Sequence, residues 1–367
     1  MNQKIKRNIL LNPGPATTTD SVKYAQVVPD ICPRENEFGV MMHIISNELT
    51  NLVATTDFYT TVLFGGSGTA AVEAILSSVI PSDGVILIIN NGAYGQRMLQ
   101  MALIYGLGVV EYVSPITEKI DLVHLENVIQ NGPKLTHLAV VHNETTTGLL
   151  NPIKEIGEIC QKYDIKLIVD GMSSFAAIPI SMADFNIHYL AASANKNLQG
   201  IAGVSFVIAN KASLEQTQFI PAKGLYLNLY HQYDHFCKTL QMQFTPPVQT
   251  MYALKQAIEE TKQEGIANRY ERYCQLWQAI STGMITLGFT MPVAIANQSK
   301  IITTFNDLDD PLFSFESMHD YLYERGFTIY PGKIGKMGTF RIANIGDIHL
   351  EDIELFLQTI KNYLKTM

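Results

Sequence analysis

Residues 61–76 read TVLFGGSGTAAVEAIL. A short apolar run, Thr61–Phe64, is followed by glycines and hydroxyls and then by apolar residues at helical spacing, so a strand, a tight turn and a helix succeed one another. The same alternation continues to about residue 210. Strands are predicted at Val85–Asn90, Val109–Val113, His137–His142, Lys166–Asp170, Tyr189–Ser193 and Val204–Ile208, with helices at Thr69–Val79, Gly95–Tyr105, Leu122–Gln130 and Pro152–Tyr163. Strands and helices in this order are βαβ units, and the expected class is α/β with a mostly parallel, seven-stranded sheet.

After Pro246 and Pro247 the pattern predicts one long polar-faced helix over Val248–Leu287, then a smaller α/β arrangement. Its strands are expected at Ile301–Phe305, Thr328–Tyr330 and Thr339–Ala343, and its helices near Phe315–Arg325 and His349–Lys361. The expected division is a large domain over 17–247, a connecting helix over 248–287 and a small C-terminal domain over 288–367, with residues 1–16 packing against the small domain.

The chain has 367 residues, with 26 Lys and Arg against 34 Asp and Glu, a formal net charge of −8 that argues against a nucleic-acid partner. Charged residues make up 16%, against about 25% in an average soluble chain, and this deficit predicts a buried subunit interface. Cys32, Cys160, Cys237 and Cys274 form no CxxC pair, so no zinc or disulfide framework is expected and a reducing, cytoplasmic setting fits. The opening MNQKIKRNILLNPGP is basic, but its apolar run stops at Leu11, which argues against a secretory signal. Apolar stretches elsewhere fall short of the roughly 18 residues of a membrane span.

The turn at Gly66, Ser67, Gly68 and Thr69 opens a helix, where backbone amides point outward and favour an anion; the two hydroxyls suit a phosphate. Gly66, Gly68 and Ala71 also satisfy a loose dinucleotide pattern. That fold wants an acidic residue closing the next strand, and Val85–Asn90 closes on asparagines. A P-loop is excluded because no Lys-Ser or Lys-Thr follows the glycines.

Asp170 ends the buried run KLIVD at the strand edge where α/β proteins bind ligands. A carboxylate there needs a cation, and none follows for two dozen residues, so a ligand cation is expected. Lys196, in YLAASANKNLQG, is the only Asp, Glu, Lys or Arg between Asp184 and Lys211. A lysine so desolvated has a lowered pKa suited to imine chemistry. Ser193 and Lys196 also spell SxxK, a serine-acylase motif, but its SDN and KTG companions are missing. His231 and His235 have no third metal ligand and read as structural; His142, ending a predicted strand beside Glu144 and Thr145, is the better pocket candidate, with a satisfied core histidine carrying more weight.

A phosphate cradle, an aspartate seeking a cation and a desolvated lysine, all at one sheet edge, together describe a site for pyridoxal 5′-phosphate. In that reading the phosphate lies at Ser67, the aldehyde is held by Lys196 and the ring nitrogen by Asp170, while Tyr94 in NGAYG is placed to stack on the ring.

The segments Asn12-Pro-Gly-Pro15, CPRENEF, GGSGT, NGAYGQRM, ETTTGLLNP, DGMSSFAAIPI, SANKNLQG, GFTIYPGK and FRIANIGDI run through nearly the whole chain. Together they resemble the class V, fold-type I aminotransferases, and within them the branch acting on 2-aminoethylphosphonate and pyruvate. Gly171, Asn143 and Pro247 depart from the usual pattern of that branch. The resemblance implies that Lys196 carries the cofactor, Asp170 meets its ring nitrogen, Ser67, Gly68 and Thr69 bind its phosphate, and Thr145 meets its ring oxygen. It further implies that Thr245 completes the phosphate site of a second subunit, making the active unit a homodimer, and that Arg341 binds the substrate anion. The implied activity is transamination of 2-aminoethylphosphonate with pyruvate; the nearest alternative is an alanine:glyoxylate or serine:pyruvate aminotransferase on the same fold.

Overall fold

The computed structural model describes residues 5–332 and 338–367. All seven predicted sheet strands are present, and they lie side by side in the order Tyr59–Gly65, Val204–Asn210, Ile187–Ser193, Lys166–Asp170, His137–Val141, Val85–Asn90, Gly108–Val113. Every pairing is parallel except those of Val204–Asn210, which runs antiparallel to both neighbours. Period-two alternation sorts each central strand between two apolar layers. Leu87, Ile89, Leu138, Val140, Leu167 and Val169 face the helices Asn36–Asn51 and Ile153–Lys162, while Ile86, Ile88, Ala139, Val141 and Ile168 face Gly68–Val79 and Ala93–Ile104. Both faces are covered, which is why these strands read as unbroken apolar runs.

The single helix expected over Val248–Leu287 is instead two, Val248–Glu264 and Ile266–Thr286. The break falls at Gly265, whose φ of +79° ends the first helix; its N–H still bonds Thr261 O. A glycine inside a helix-period run reads as tolerated, so the sequence pattern alone did not reveal the stop.

A second apolar cluster holds Phe305, Phe327, Phe340 and Phe356 around the antiparallel strands Ile302–Asn306, Thr339–Ala343 and Tyr330–Pro331. Thr328–Tyr330, expected as one strand, is split between Phe327–Thr328 and Tyr330–Pro331, which belong to different sheets. Ile9–Leu10 pairs in parallel with Phe327–Thr328, and the Ala343 N–H donates to Leu11 O at 2.9 Å. Among the described residues no helix is long and apolar enough to cross a membrane, and all four cysteines are free thiols.

Candidate active site

The carboxyl ends of the central strands open on a cavity of about 530 Å3. Gly66, Ser67, Gly68 and Thr69 line it from the start of the helix Gly68–Val79, and Tyr94 from the start of Ala93–Ile104. Thr145, Asp170, Ser193 and Lys196 complete the set. Asp170 and Ser193 are brought together by the parallel pairing of Lys166–Asp170 with Ile187–Ser193, in which Asp170 lies opposite Ala191. The sheet itself therefore assembles residues far apart in sequence.

Ser67 occupies the cap position of Gly68–Val79, yet its hydroxyl makes no capping bond, and the first turn has no acidic residue. The unpaired amides of a helix start and a free hydroxyl together form an anion cradle. A Cβ on Gly68 would lie 2.4 Å from Met172 Sδ, so any other residue there would push the Met172 side chain out of its place beside Asp170.

Asp170 is 5% exposed and accepts from the Met172 N–H at 2.9 Å. Burial pushes its carboxyl up, opposed by that bond and by the charges of Lys196 and Arg97. Lys196 is pushed down to about 8, chiefly by burial, with Asp170 pulling the other way and Arg341 and Arg97 adding to the fall. The pair sets a buried acid against a readily neutralised amine, and a protonated ring nitrogen beside Asp170 would satisfy the carboxylate.

Arg341 stands at the edge of this group. It donates from Nη1 to Thr145 O at 3.2 Å and from Nη2 to Pro331 O at 2.9 Å, lies 5.1 Å from the Tyr330 ring, and its buried Nε has no partner among the described residues. A buried donor left open in this way is ready for an anion. The GFTIYPGK motif ends at Lys333, outside the described residues.

Thr245 is exposed and does not line the cavity of its own chain. His142 is a satisfied core residue: it bonds Ser174 Oγ at 2.9 Å and burial pushes it down to about 3, so it stays neutral. Among the described residues no group of His, Cys, Asp or Glu could hold a metal.

Four further residues stand beside the predicted ones. Arg97 lines the cavity with its guanidinium 4.8 Å from the Tyr94 ring centre, and its position three residues after Tyr94 on a helix was the available signal. Glu144, fully buried beside Gly92, accepts from Thr146 N–H and hydroxyl at 3.1 and 2.6 Å. Pro13 and Gly14 lie against Lys196 itself, a contact between segments that nothing local announces.

The family model for aminotransferase class-V matches residues 21–336. A protein of Klebsiella pneumoniae subsp. pneumoniae named 2-aminoethylphosphonate--pyruvate transaminase is 41% identical over 360 residues, covering 96% of this chain and 97% of its own. One of the same name from Lysinibacillus sphaericus is 39% identical over 357 residues, covering 97% of each. Among solved structures, the alanine--glyoxylate aminotransferase of Nostoc sp. superposes with a TM-score of 0.91 at 24% identity, covering 99% of this chain and 97% of that one, a likeness of fold.

Proposed function

The chain belongs to the class-V aminotransferase family, and on that premise we propose that it is a pyridoxal 5′-phosphate-dependent transaminase acting on 2-aminoethylphosphonate and pyruvate. The products are phosphonoacetaldehyde and L-alanine. The observation that carries the reading is the gathering of the anion cradle, Asp170 and Lys196 in one cavity, with Arg341 at its edge, in a chain about two-fifths identical over its length to relatives of that name.

The residues fit the cofactor. The Ser67 hydroxyl is not used by the helix it caps, and the buried Asp170 is matched by a ring N–H cation. When bound, pyridoxal 5′-phosphate supplies an aldehyde for amine exchange and a cationic ring that draws off the electron pair left at the substrate carbon.

In this reading Ser67, Gly68 and Thr69, beside Gly66, hold the phosphate. Asp170 keeps the ring nitrogen protonated, Tyr94 covers the ring, and Thr145 meets the ring oxygen, with Ser193 lining the same pocket. The Lys196 amine would take up the proton from the nitrogen-bearing carbon of the donor and give it back on the far side of that nitrogen. Arg341 binds the phosphonate in one half-reaction and the carboxylate in the other. Because one site serves both substrates in turn, the kinetics are ping-pong. A homodimer in which Thr245 completes the partner's cradle is supported by the exposure of Thr245 and by the low charge fraction. The four free thiols favour a cytoplasmic location.

Mixing the loaded enzyme with 2-aminoethylphosphonate alone should convert its lysine-linked absorbance to that of the aminated cofactor. A response confined to serine or alanine would replace this reading with the serine:pyruvate or alanine:glyoxylate alternative.

A further inference from the structure

The segment Asn12–Pro15 is not absorbed by the roles above, yet it touches the reacting lysine directly. Lys196 Nζ donates to Pro13 O at 2.6 Å. The approach depends on Gly14, whose φ is +136° and where a Cβ would lie 2.5 to 2.7 Å from Lys196 Cδ, Cε and Nζ. No side chain fits between this backbone and the lysine.

The segment is also anchored on both sides of that contact. Before it, Leu11 N–H donates to Thr328 O at 2.8 Å and Leu11 O accepts from Ala343 N–H at 2.9 Å; after it, Ala16 N–H donates to Asn195 O at 3.0 Å. Asn12 Nδ2 closes the turn on Pro15 O at 3.3 Å. Pro13 is buried, so its carbonyl is a fixed acceptor sheltered from water.

We propose that the Pro13 carbonyl, held in place by Gly14, is a positioning group for the Lys196 amine whenever that amine is free of the cofactor. This rests on the transaminase reading. A neutral amine has two N–H bonds and one lone pair. Donating one N–H to Pro13 O fixes rotation about Cε–Nζ and so directs the lone pair that accepts the proton. Once the proton arrives, Nζ is an ammonium, and the same carbonyl accepts a charge-assisted bond from it. Nζ would then deliver that proton to the carbon on the other side of the nitrogen, and the amine returns to its starting state. Alignment of this kind is a large share of general-base efficiency, since a small displacement of the base lowers the rate steeply.

The test uses Gly14→Ala and Asn12→Ala, the second a milder change that removes the Pro15 staple without crowding the lysine. In the loaded Gly14→Ala enzyme, kcat should fall about 10- to 100-fold in both half-reactions. The primary isotope effect with donor deuterated at the nitrogen-bearing carbon should rise, because proton transfer becomes slower than its neighbours. In the cofactor-free protein, the rate at which pyridoxal 5′-phosphate is captured, followed by absorbance, should fall at least tenfold. Asn12→Ala should shift all three in the same direction by less, and it carries the test if Gly14→Ala does not fold.

Rates, isotope effect and capture within twofold of wild type in a folded Gly14→Ala protein would overturn the proposal. So would a change confined to KM for the donor, which would make the segment a wall of the substrate pocket only. If the wild type transaminates a different donor, the function reading fails, and the same comparison run with that donor still decides the role of Pro13.

Discussion

Arg341 Nη1 donates to the backbone carbonyl of Thr145 at 3.2 Å, joining the strand Thr339–Ala343 to the turn between the short paired strands Asn143–Glu144 and Leu149–Leu150. The bond fixes one arm of the guanidinium and leaves Nε open. The bond ties Arg341, the proposed ligand of the substrate anion, to a residue lining the cavity.

Arg341→Ala should weaken binding of both 2-aminoethylphosphonate and pyruvate by roughly 30-fold or more, the usual consequence of losing a buried charge-assisted contact. Arg341→Lys should recover only part, because an ammonium lacks the planar fork. Spectral titrations of the two cofactor forms measure each affinity separately, and unchanged affinity for either substrate would remove Arg341 from its shared role.

Replacing Lys196 with Ala should abolish the lysine-linked absorbance and lower turnover by about a thousandfold or more, since both the covalent tether and the proton carrier are lost. Turnover near the wild-type rate would show that another group does this work.

The depressed pKa of Lys196 sets a pH dependence. Only the neutral amine attacks an aldehyde, and the ammonium is pushed down to about 8. Capture of pyridoxal 5′-phosphate by the cofactor-free chain should climb about tenfold per pH unit below that value and level off above it. An exposed lysine would keep climbing toward 10.5, and stopped-flow absorbance across pH 6 to 10 separates the two.

Burial pushes His142 and His137 down to about 3. The unfolded chain therefore binds more protons than the folded one between about 3 and 6.5. The stability from keeping these rings neutral is complete above 6.5 and is lost as pH falls toward 3, by on the order of a few kcal/mol for each ring. Chemical denaturation at pH 7 and pH 5 should show the loss, and His142→Gln should reduce its steepness.

Gly265→Ala should destabilise the fold by about 1–2 kcal/mol through backbone strain alone, because a Cβ there would meet nothing closer than Asn268 Nδ2 at 3.7 Å while φ stays at +79°. A urea midpoint unchanged by the substitution would mean that the break between the two helices relaxes without cost.

The strands were legible because both sheet faces are buried, and the β-branched runs Val85–Asn90 and Lys166–Asp170 have observed limits identical to the expected ones. The cradle and Lys196 were legible for a different reason: small residues at a helix start and a solitary charge are local anomalies. The helix break at Gly265 was hidden because one glycine in a periodic run carries two meanings, and only the positive φ selects between them. Glu144 and Pro13 were not legible because their places come from three-dimensional neighbours, whereas Arg97 carried only its helical spacing from Tyr94. The sequence around Pro13 does not say that its carbonyl meets a lysine 183 residues away along the chain.

The pairing of Ile9–Leu10 with Phe327–Thr328 has a consequence for biosynthesis. Ribosomes add roughly 5–20 residues per second, so the first strand waits on the order of tens of seconds for its partner to be translated. Throughout that wait Leu11 has neither of its backbone partners, Thr328 and Ala343. The nascent polypeptide can complete its central sheet, whose last strand ends at Asn210, well before the partners of its first strand have emerged.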